Sequence, residues 1–210
     1  MSAPLSDKSE RILRGAVDVG ERIFILLLFA GFVARLSHSL AARPFNALVF
    51  VSEGLVVLFI LIRRDAMAFT VRPLDWVVAL VGTALSMFVK SGGHPLVPPV
   101  VGATLMITGL CFSIVAKLSL RRSIGIAPAN RGVVRAGPYS IVRHPMYAGY
   151  IAVYVGFFLN NPLAWNLVVY VLTTACLVTR IAAEEAVLSK DPHYTALMDR
   201  TRYRLVPGLY

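Results

Sequence analysis

Charged residues are scarce in this chain of 210 residues. Asp, Glu, Lys and Arg together make up 15% of it, whereas a soluble domain carries about 25%. Hydrophobic residues make up 57%, and the mean hydropathy is +0.71. A soluble globular fold is excluded, because too few polar side chains are present to cover its surface. The composition therefore predicts an integral membrane protein.

Cysteine is also scarce, and a common nucleotide-binding motif is missing. The two cysteines, Cys111 and Cys176, both lie within apolar runs. This pattern excludes a disulfide framework and predicts that the protein has no metal site. The chain contains no Gly-x-Gly-x-x-Gly sequence, so a soluble dinucleotide-binding domain of the usual kind is not expected.

Six near-continuous apolar segments run along the chain, and most approach the ~20 residues that a membrane-spanning helix needs. They cover Gly20–Leu36, Phe45–Ile62, Leu74–Val89, Pro98–Leu118, Met146–Leu159 and Leu163–Ile181. Only Asn160-Asn161-Pro162 separates the last two segments, and this tripeptide is a turn signal. The sequence predicts an all-α integral membrane protein with about six transmembrane helices and a C-terminal helical hairpin.

Basic residues are distributed unevenly between the two sides of such a protein. If all six segments span, 18 of the 21 Lys and Arg residues fall on one side, and only Arg35, Arg43 and Lys90 fall on the other. The positive-inside rule then predicts that both termini lie in the cytoplasm. The membrane expected for the protein is the cytoplasmic (inner) membrane. The net charge of +10 is thereby explained by topology, and no nucleic-acid partner is expected.

Polar chemistry is concentrated in the C-terminal half. We divide the chain into four N-terminal spans, residues 1–118, and a catalytic region, residues 119–210, with a cytoplasmic pocket. In that region His144-Pro145 opens the fifth helix, because proline is favoured at the first helical position. The free backbone N–H groups that follow, together with Arg143 and His144, predict an anion site at the helix N-terminus.

The motif Arg143-His144-Pro145-Met146-Tyr147-Ala148-Gly149 is followed by Glu184-Glu185-Ala186-Val187-Leu188 at the other end of the hairpin. With this pair of motifs, the region from Arg121 to Pro207 resembles the isoprenylcysteine carboxyl methyltransferase family. Wider relatives of that family include bacterial phospholipid N-methyltransferases. Leu197 stands where family members often have a second tyrosine, three residues after the position of Tyr194, and this departure concerns the substrate more than the cofactor.

The resemblance implies that S-adenosyl-L-methionine binds on the cytoplasmic side, beneath a lid formed by the C-terminal segment. Its carboxylate suits the start of the fifth helix, and its ammonium or sulfonium suits Glu184 or Glu185. The cofactor-binding residues implied are Tyr139, Arg143, His144, Pro145, Tyr147, Gly149 and Glu184. The catalytic residues implied are Arg143, Glu185 and Arg202.

The methyl acceptor is expected to be lipophilic, either a prenylated substrate or a membrane lipid. A carboxylate acceptor needs only an arginine to orient it, Arg202 or Arg143, whereas an amine needs a base, for which Glu185 is the candidate. Isoprenylcysteine carboxyl O-methyl transfer is the leading prediction. A phospholipid amine or a small thiol is the alternative acceptor. The rival classes are an NADPH-dependent membrane reductase and a non-catalytic membrane protein.

Simpler interpretations exist for several of these residues. Glu184 has a possible helix partner in Arg180, four residues earlier. Arg121 and Arg122 suit membrane anchors in the inside loop better than ligands. Glu53 is an acid inside the second span, and ionisable residues within membrane helices often have a function. An ion pair with a residue on a neighbouring helix would also explain its presence. Asp191-Pro192 predicts the start of a short helix with Tyr194, Leu197, Met198 and Thr201 on one face, and that face suits packing at the membrane surface better than catalysis.

Overall fold

The computed structural model describes residues 7–62, 68–69, 72–120, 129–130 and 132–208. Seven α-helices account for most of these residues, and three short 3-10 turns lie between them. The helices are α1 (Asp7–Leu36), α2 (Ala47–Leu61), α3 (Pro73–Ser86), α4 (Pro99–Leu120), α5 (Pro145–Asn160), α6 (Ala164–Leu188) and α7 (Pro192–Arg200). One antiparallel pairing of two-residue strands joins β1 (Ala68–Phe69) to β2 (Ala129–Asn130), with Ala68 opposite Asn130.

The predicted helical membrane fold is confirmed in its coarse form. Each apolar segment of the sequence forms the body of one helix, from α1 to α6. Three stretches are long and apolar enough to cross a bilayer, namely Pro44–Leu61, Pro99–Leu120 and Ala164–Leu188. The helix α3 is apolar but has only 14 residues. Six spans therefore remain a prediction.

Glycines set the close contact between α4 and α5. A Cβ atom added at Gly149 would lie 2.6 Å from the carbonyl oxygen of Gly109, and one added at Gly156 would lie 2.5 Å from that of Gly102. The two pairs are seven residues apart on each helix, so both contacts lie on the same face of two antiparallel helices. Small residues of this kind let helix backbones approach closely in membranes.

The end of the bundle where α5 turns into α6 is held by a buried amide network. Asn161 has no exposed surface, and its side chain accepts hydrogen bonds from Arg43, Ser91 and the Gly92 amide. Its Nδ2 donates to Asn46 at 3.1 Å. The predicted turn at Asn160-Asn161-Pro162 is confirmed, and it also ties the α5–α6 hairpin to the segments before α2 and after α3.

The opposite end of the hairpin is formed by the start of α5 and the last turns of α6. Because α6 runs on to Leu188, Glu184 and Glu185 still belong to this helix. The helix α7 follows after a short turn, and the Asp191 side chain caps it by accepting a hydrogen bond from the His193 amide at 2.9 Å. Tyr194 and Leu197 are the buried face of α7, as the sequence predicted. The chain then returns to the start of α5.

Candidate functional site

The start of α5 is fixed by the segment that follows α7. Pro145 occupies the first turn of α5, as predicted. The Arg143 amide donates to the Tyr203 carbonyl at 2.9 Å, and the His144 amide donates to the Arg204 carbonyl at 2.8 Å. The amides of Tyr147 and Ala148 both donate to the His144 carbonyl. These pairings leave fewer free amides for an anion than the sequence predicted.

An ion cluster centred on Glu185 joins α6 to both segments. The Glu185 Oε1 atom lies 2.8 Å from Arg143 Nε and 3.3 Å from His144 Nε2. Its Oε2 atom accepts from Arg204 Nε at 2.9 Å. The Arg143 and Glu185 side chains are buried, so the pair is shielded from solvent. Both carboxylate oxygens are thus engaged by cationic or imidazole groups, which favours the ionised form of Glu185.

The Arg143 guanidinium serves as a clamp for the segment after α7. Its NH1 group donates to the carbonyls of Thr201 and Arg202, each at 2.9 Å. Charge-assisted hydrogen bonds of this kind are stronger than neutral ones. Arg143 therefore binds α6, through Glu185, and at the same time binds the backbone of residues 201–202.

Glu184 lies beside this cluster in a different environment. Its Oε1 atom accepts from the Tyr147 hydroxyl at 2.5 Å and from Arg180 Nε at 2.9 Å. Its Oε2 atom lies 3.8 Å from His144 Nδ1. The Glu184 side chain is 19% exposed, compared with 7% for Glu185. The pairing with Arg180 that the sequence suggested is present, yet Glu184 remains the more accessible of the two acids.

Two tyrosines complete the surroundings of the acid pair. Burial, reinforced by the Glu184 carboxylate, raises the pKa of Tyr139 well above its ordinary value. Burial and the Glu185 carboxylate likewise raise the pKa of Tyr194. Both phenols are therefore neutral hydrogen-bond donors at physiological pH. In the described part of the chain the buried Tyr194 hydroxyl has no hydrogen-bond partner, which is costly unless a ligand supplies one.

The structure brings most of the predicted site residues together. Tyr139, Arg143, His144, Tyr147, Glu184 and Glu185 meet at the site end of the hairpin, where Pro145 starts α5. Gly149, which was expected to contact the cofactor, lies instead in the α4–α5 interface. Arg202 exposes its side chain and contributes its carbonyl. Arg121 and Arg122 lie outside the described residues.

Two members of this site were not predicted from the sequence. Arg204 binds Glu185, and Tyr194 places its hydroxyl near the same acid. Tyr194 was expected only as part of a packing face. The signal for Arg204 was the row of arginines at the end of α7 and just after it, at positions 200, 202 and 204, but their alternation does not tell which one turns inward.

A comparison with known families agrees with this geometry. Residues 97–194 match the phospholipid methyltransferase family model, and the match spans α4, the α5–α6 hairpin and the start of α7. None of the curated proteins gives a significant match to the chain. The matched family is related to the isoprenylcysteine carboxyl methyltransferases that the motifs of this chain resemble. Together with the apolar helices, this match supports a membrane methyltransferase in general.

Proposed function

We propose that the protein transfers a methyl group from S-adenosyl-L-methionine to a nucleophile on a lipophilic acceptor. The observation that carries this proposal is the meeting of both sequence motifs in one place. Arg143 and His144 are 40 residues or more from Glu184 and Glu185 in the chain, and the hairpin brings them within ion-pair distance. A purely structural hairpin gives no reason for two acids, two arginines, a histidine and an unsatisfied tyrosine to converge.

The residues at this site fit S-adenosyl-L-methionine. Its ammonium matches the partly exposed Glu184 carboxylate, and its carboxylate matches the neutral Tyr194 hydroxyl, which has no hydrogen-bond partner among the described residues. Tyr139 and Tyr147 offer aromatic surface for the adenine or the sulfonium. The cofactor, when bound, supplies an electrophilic methyl group. The protein's own contribution is to position the reacting pair and to exclude water.

Glu185 is assigned a positioning role on this proposal. Its carboxylate is ion-paired with Arg143 and Arg204 and contacts His144, and a carboxylate stabilised in this way is a weak proton acceptor. It holds the 201–204 segment over the site, where that segment serves as the lid implied by the family resemblance. Arg143 is occupied in the same cluster, so neither residue suits the direct role in acceptor chemistry that the motif suggested.

The acceptor is open between the alternatives drawn from the sequence. Isoprenylcysteine carboxyl O-methyl transfer requires an arginine that faces the acceptor. Arg143 is engaged by Glu185 and two carbonyls, and the Arg202 side chain is exposed. This arrangement favours an acceptor that is not a carboxylate, such as the amine of a membrane phospholipid, whose proton must then pass to a base other than Glu185. The description of the matched family is compatible with that choice.

Calorimetric titration of the purified protein with S-adenosyl-L-methionine tests the proposal. Glu184→Gln keeps the size of the side chain and removes its charge. The lost charge-assisted hydrogen bond, worth about 1.5–3 kcal/mol, weakens the affinity about tenfold or more. Asp199→Asn removes an exposed acid on α7 and is the matched control, for which we expect wild-type affinity.

Two outcomes would contradict the assignment. Unchanged affinity of Glu184→Gln, together with a lowered melting temperature, would make Glu184 only the structural partner of Arg180 and Tyr147. Binding of NADPH in place of S-adenosyl-L-methionine by the wild-type protein would indicate the membrane reductase class instead.

A further inference from the structure

A cavity opens between α2, α3, α5 and α6, within the apolar part of the bundle. Met146, Tyr147 and Arg180 line it at the site just described. Glu53 and Ser86 line it deeper in the bundle, on α2 and α3. The remaining wall is largely apolar and includes Val56, Ile60, Val78, Ala79 and Leu177. The cavity therefore offers both a hydrocarbon-compatible wall and a carboxylate.

Glu53 is the unusual residue of this cavity. It is only 4% exposed, and Ser86 Oγ, at 3.4 Å, is the one hydrogen-bond donor that the described residues supply to its carboxylate. That distance is at the weak limit of a hydrogen bond. A buried carboxylate with so few donors is costly, and ionisable residues inside membrane helices generally mark functional sites.

Lys117 provides an opposite charge near Glu53 but no hydrogen bond to its carboxylate. Its ammonium acts electrostatically on Glu53, yet Lys117 Nζ is fully buried and makes no hydrogen bond to any described residue. It lies instead over the ring of Tyr150, 4.7 Å from the centroid. Two ionisable groups of the apolar region thus interact without a direct hydrogen bond between them, and an aromatic ring lies beside Lys117.

A continuous row of tyrosines forms one wall of the cavity region. Ring centroids are 6.1 Å apart between Tyr147 and Tyr150, and 6.5 Å apart between Tyr150 and Tyr154. Tyr170 stacks on Tyr154 at 4.7 Å. Aromatic faces attract ammonium groups, and the position of Lys117 over Tyr150 is an instance within this protein. A donor-poor carboxylate beside such rings is complementary to a protonated amine.

We propose that this cavity is a binding site for an amphiphile with a protonated amine head group, and that Glu53 binds that amine. Its hydrocarbon chain would lie against the apolar side chains of the cavity wall. The assignment of this amphiphile as the methyl acceptor rests on the function proposed above. In that role its ammonium must first lose a proton to free the nitrogen lone pair, and the Glu53 carboxylate that binds it is the group placed to accept this proton. Glu53 lies on α2, outside the residues that match the family model, so the specificity comes from the N-terminal half of this chain.

Melting curves of the full-length protein in detergent, titrated with hexadecylamine or palmitate, test the proposal without any need for catalysis. The two probes share the same hydrocarbon length and carry opposite charges. We expect hexadecylamine, and not palmitate, to stabilise the wild-type protein. Glu53→Gln should weaken hexadecylamine binding about tenfold or more, because a charge-assisted hydrogen bond is lost. Glu21→Gln removes a buried acid on α1 that does not line the cavity, and it should bind hexadecylamine like the wild type.

A double variant tests whether Glu53 has only a structural role. Glu53→Gln alone leaves Lys117 without its counter-charge and destabilises the fold, whereas Glu53→Gln with Lys117→Met removes both charges. Amine binding should stay weak in the double variant. Its recovery there, unchanged binding in Glu53→Gln, or equal stabilisation by palmitate would overturn the proposal. A wild-type protein that binds hexadecylamine but fails to bind S-adenosyl-L-methionine would contradict the methyltransferase proposal instead.

Discussion

Glu185→Gln should detach the segment after α7 from the start of α5. The substitution keeps the size of the side chain but removes the charge that Arg143 and Arg204 share. Breaking a buried ion pair from one side costs about 3–5 kcal/mol. Arg143 keeps its bonds to the Thr201 and Arg202 carbonyls, and the Arg204 side chain, 36% exposed, can be hydrated. We therefore expect the lower end, about 3 kcal/mol, which is roughly a hundredfold change in the local opening equilibrium.

Hydrogen exchange measured by mass spectrometry reads this opening directly. The amides of Arg143 and His144 are protected by the Tyr203 and Arg204 carbonyls, so both should exchange about a hundredfold faster in Glu185→Gln. Glu184→Gln is the matched control, because it makes the same change one residue earlier. The Glu184 carboxylate accepts its hydrogen bonds from Arg180 and Tyr147, which belong to the hairpin itself. The substitution should leave this exchange unaltered. Equal protection of Arg143 and His144 in the wild type and Glu185→Gln would refute the clamp.

Three further predictions concern packing, the amide network and topology. Gly149→Ala should destabilise the fold by about 1–3 kcal/mol in chemical denaturation, because the new Cβ overlaps α4; Gly31→Ala, with nothing within 4 Å, should be neutral or mildly stabilising. Asn161→Ala should lower the melting temperature, since it leaves buried donors unpaired at a cost of about 1–3 kcal/mol. In a protein with Cys111 and Cys176 replaced by serine, His94→Cys and Lys190→Cys should be labelled from opposite sides of the membrane; labelling from one side would contradict the six-span topology.

Local signals in the sequence were sufficient for the bodies of the helices and for the residues that meet at the end of the hairpin. Hydrophobic runs located the bodies of α1 to α6, and proline at position 145 fixed the start of α5. The two motifs identified Arg143, His144 and Glu184, because each motif is contiguous and the turn at Asn160-Asn161-Pro162 folds one onto the other. These inferences need only residues that are close in sequence or linked by a short turn.

The parts that the sequence did not predict depend on distant partners. Gly149 belongs to the α4–α5 contact because Gly109 and Ser113 lie opposite, and no pattern around Gly149 distinguishes this from contact with a ligand. Arg204 reaches Glu185 because the chain turns back after α7. Whether Arg202 or Arg204 points toward Glu185 depends on the path of the backbone after α7. Alternating arginines in the sequence do not reveal that path.

The pairing of residues 143–144 with residues 203–204 has a consequence for the order in which the protein matures. Synthesis proceeds from the N-terminus, so the start of α5 and both acids of α6 are made before Thr201 to Arg204 exist. Until then Arg143 lacks the two carbonyls that it later holds, and Glu185 lacks one of its two arginines. The site can therefore close only after residues 201–204 have been made and have left the ribosome. A chain truncated before Thr201 would keep both motifs but would lack the carbonyls that bind Arg143 and the arginine that binds Glu185 Oε2.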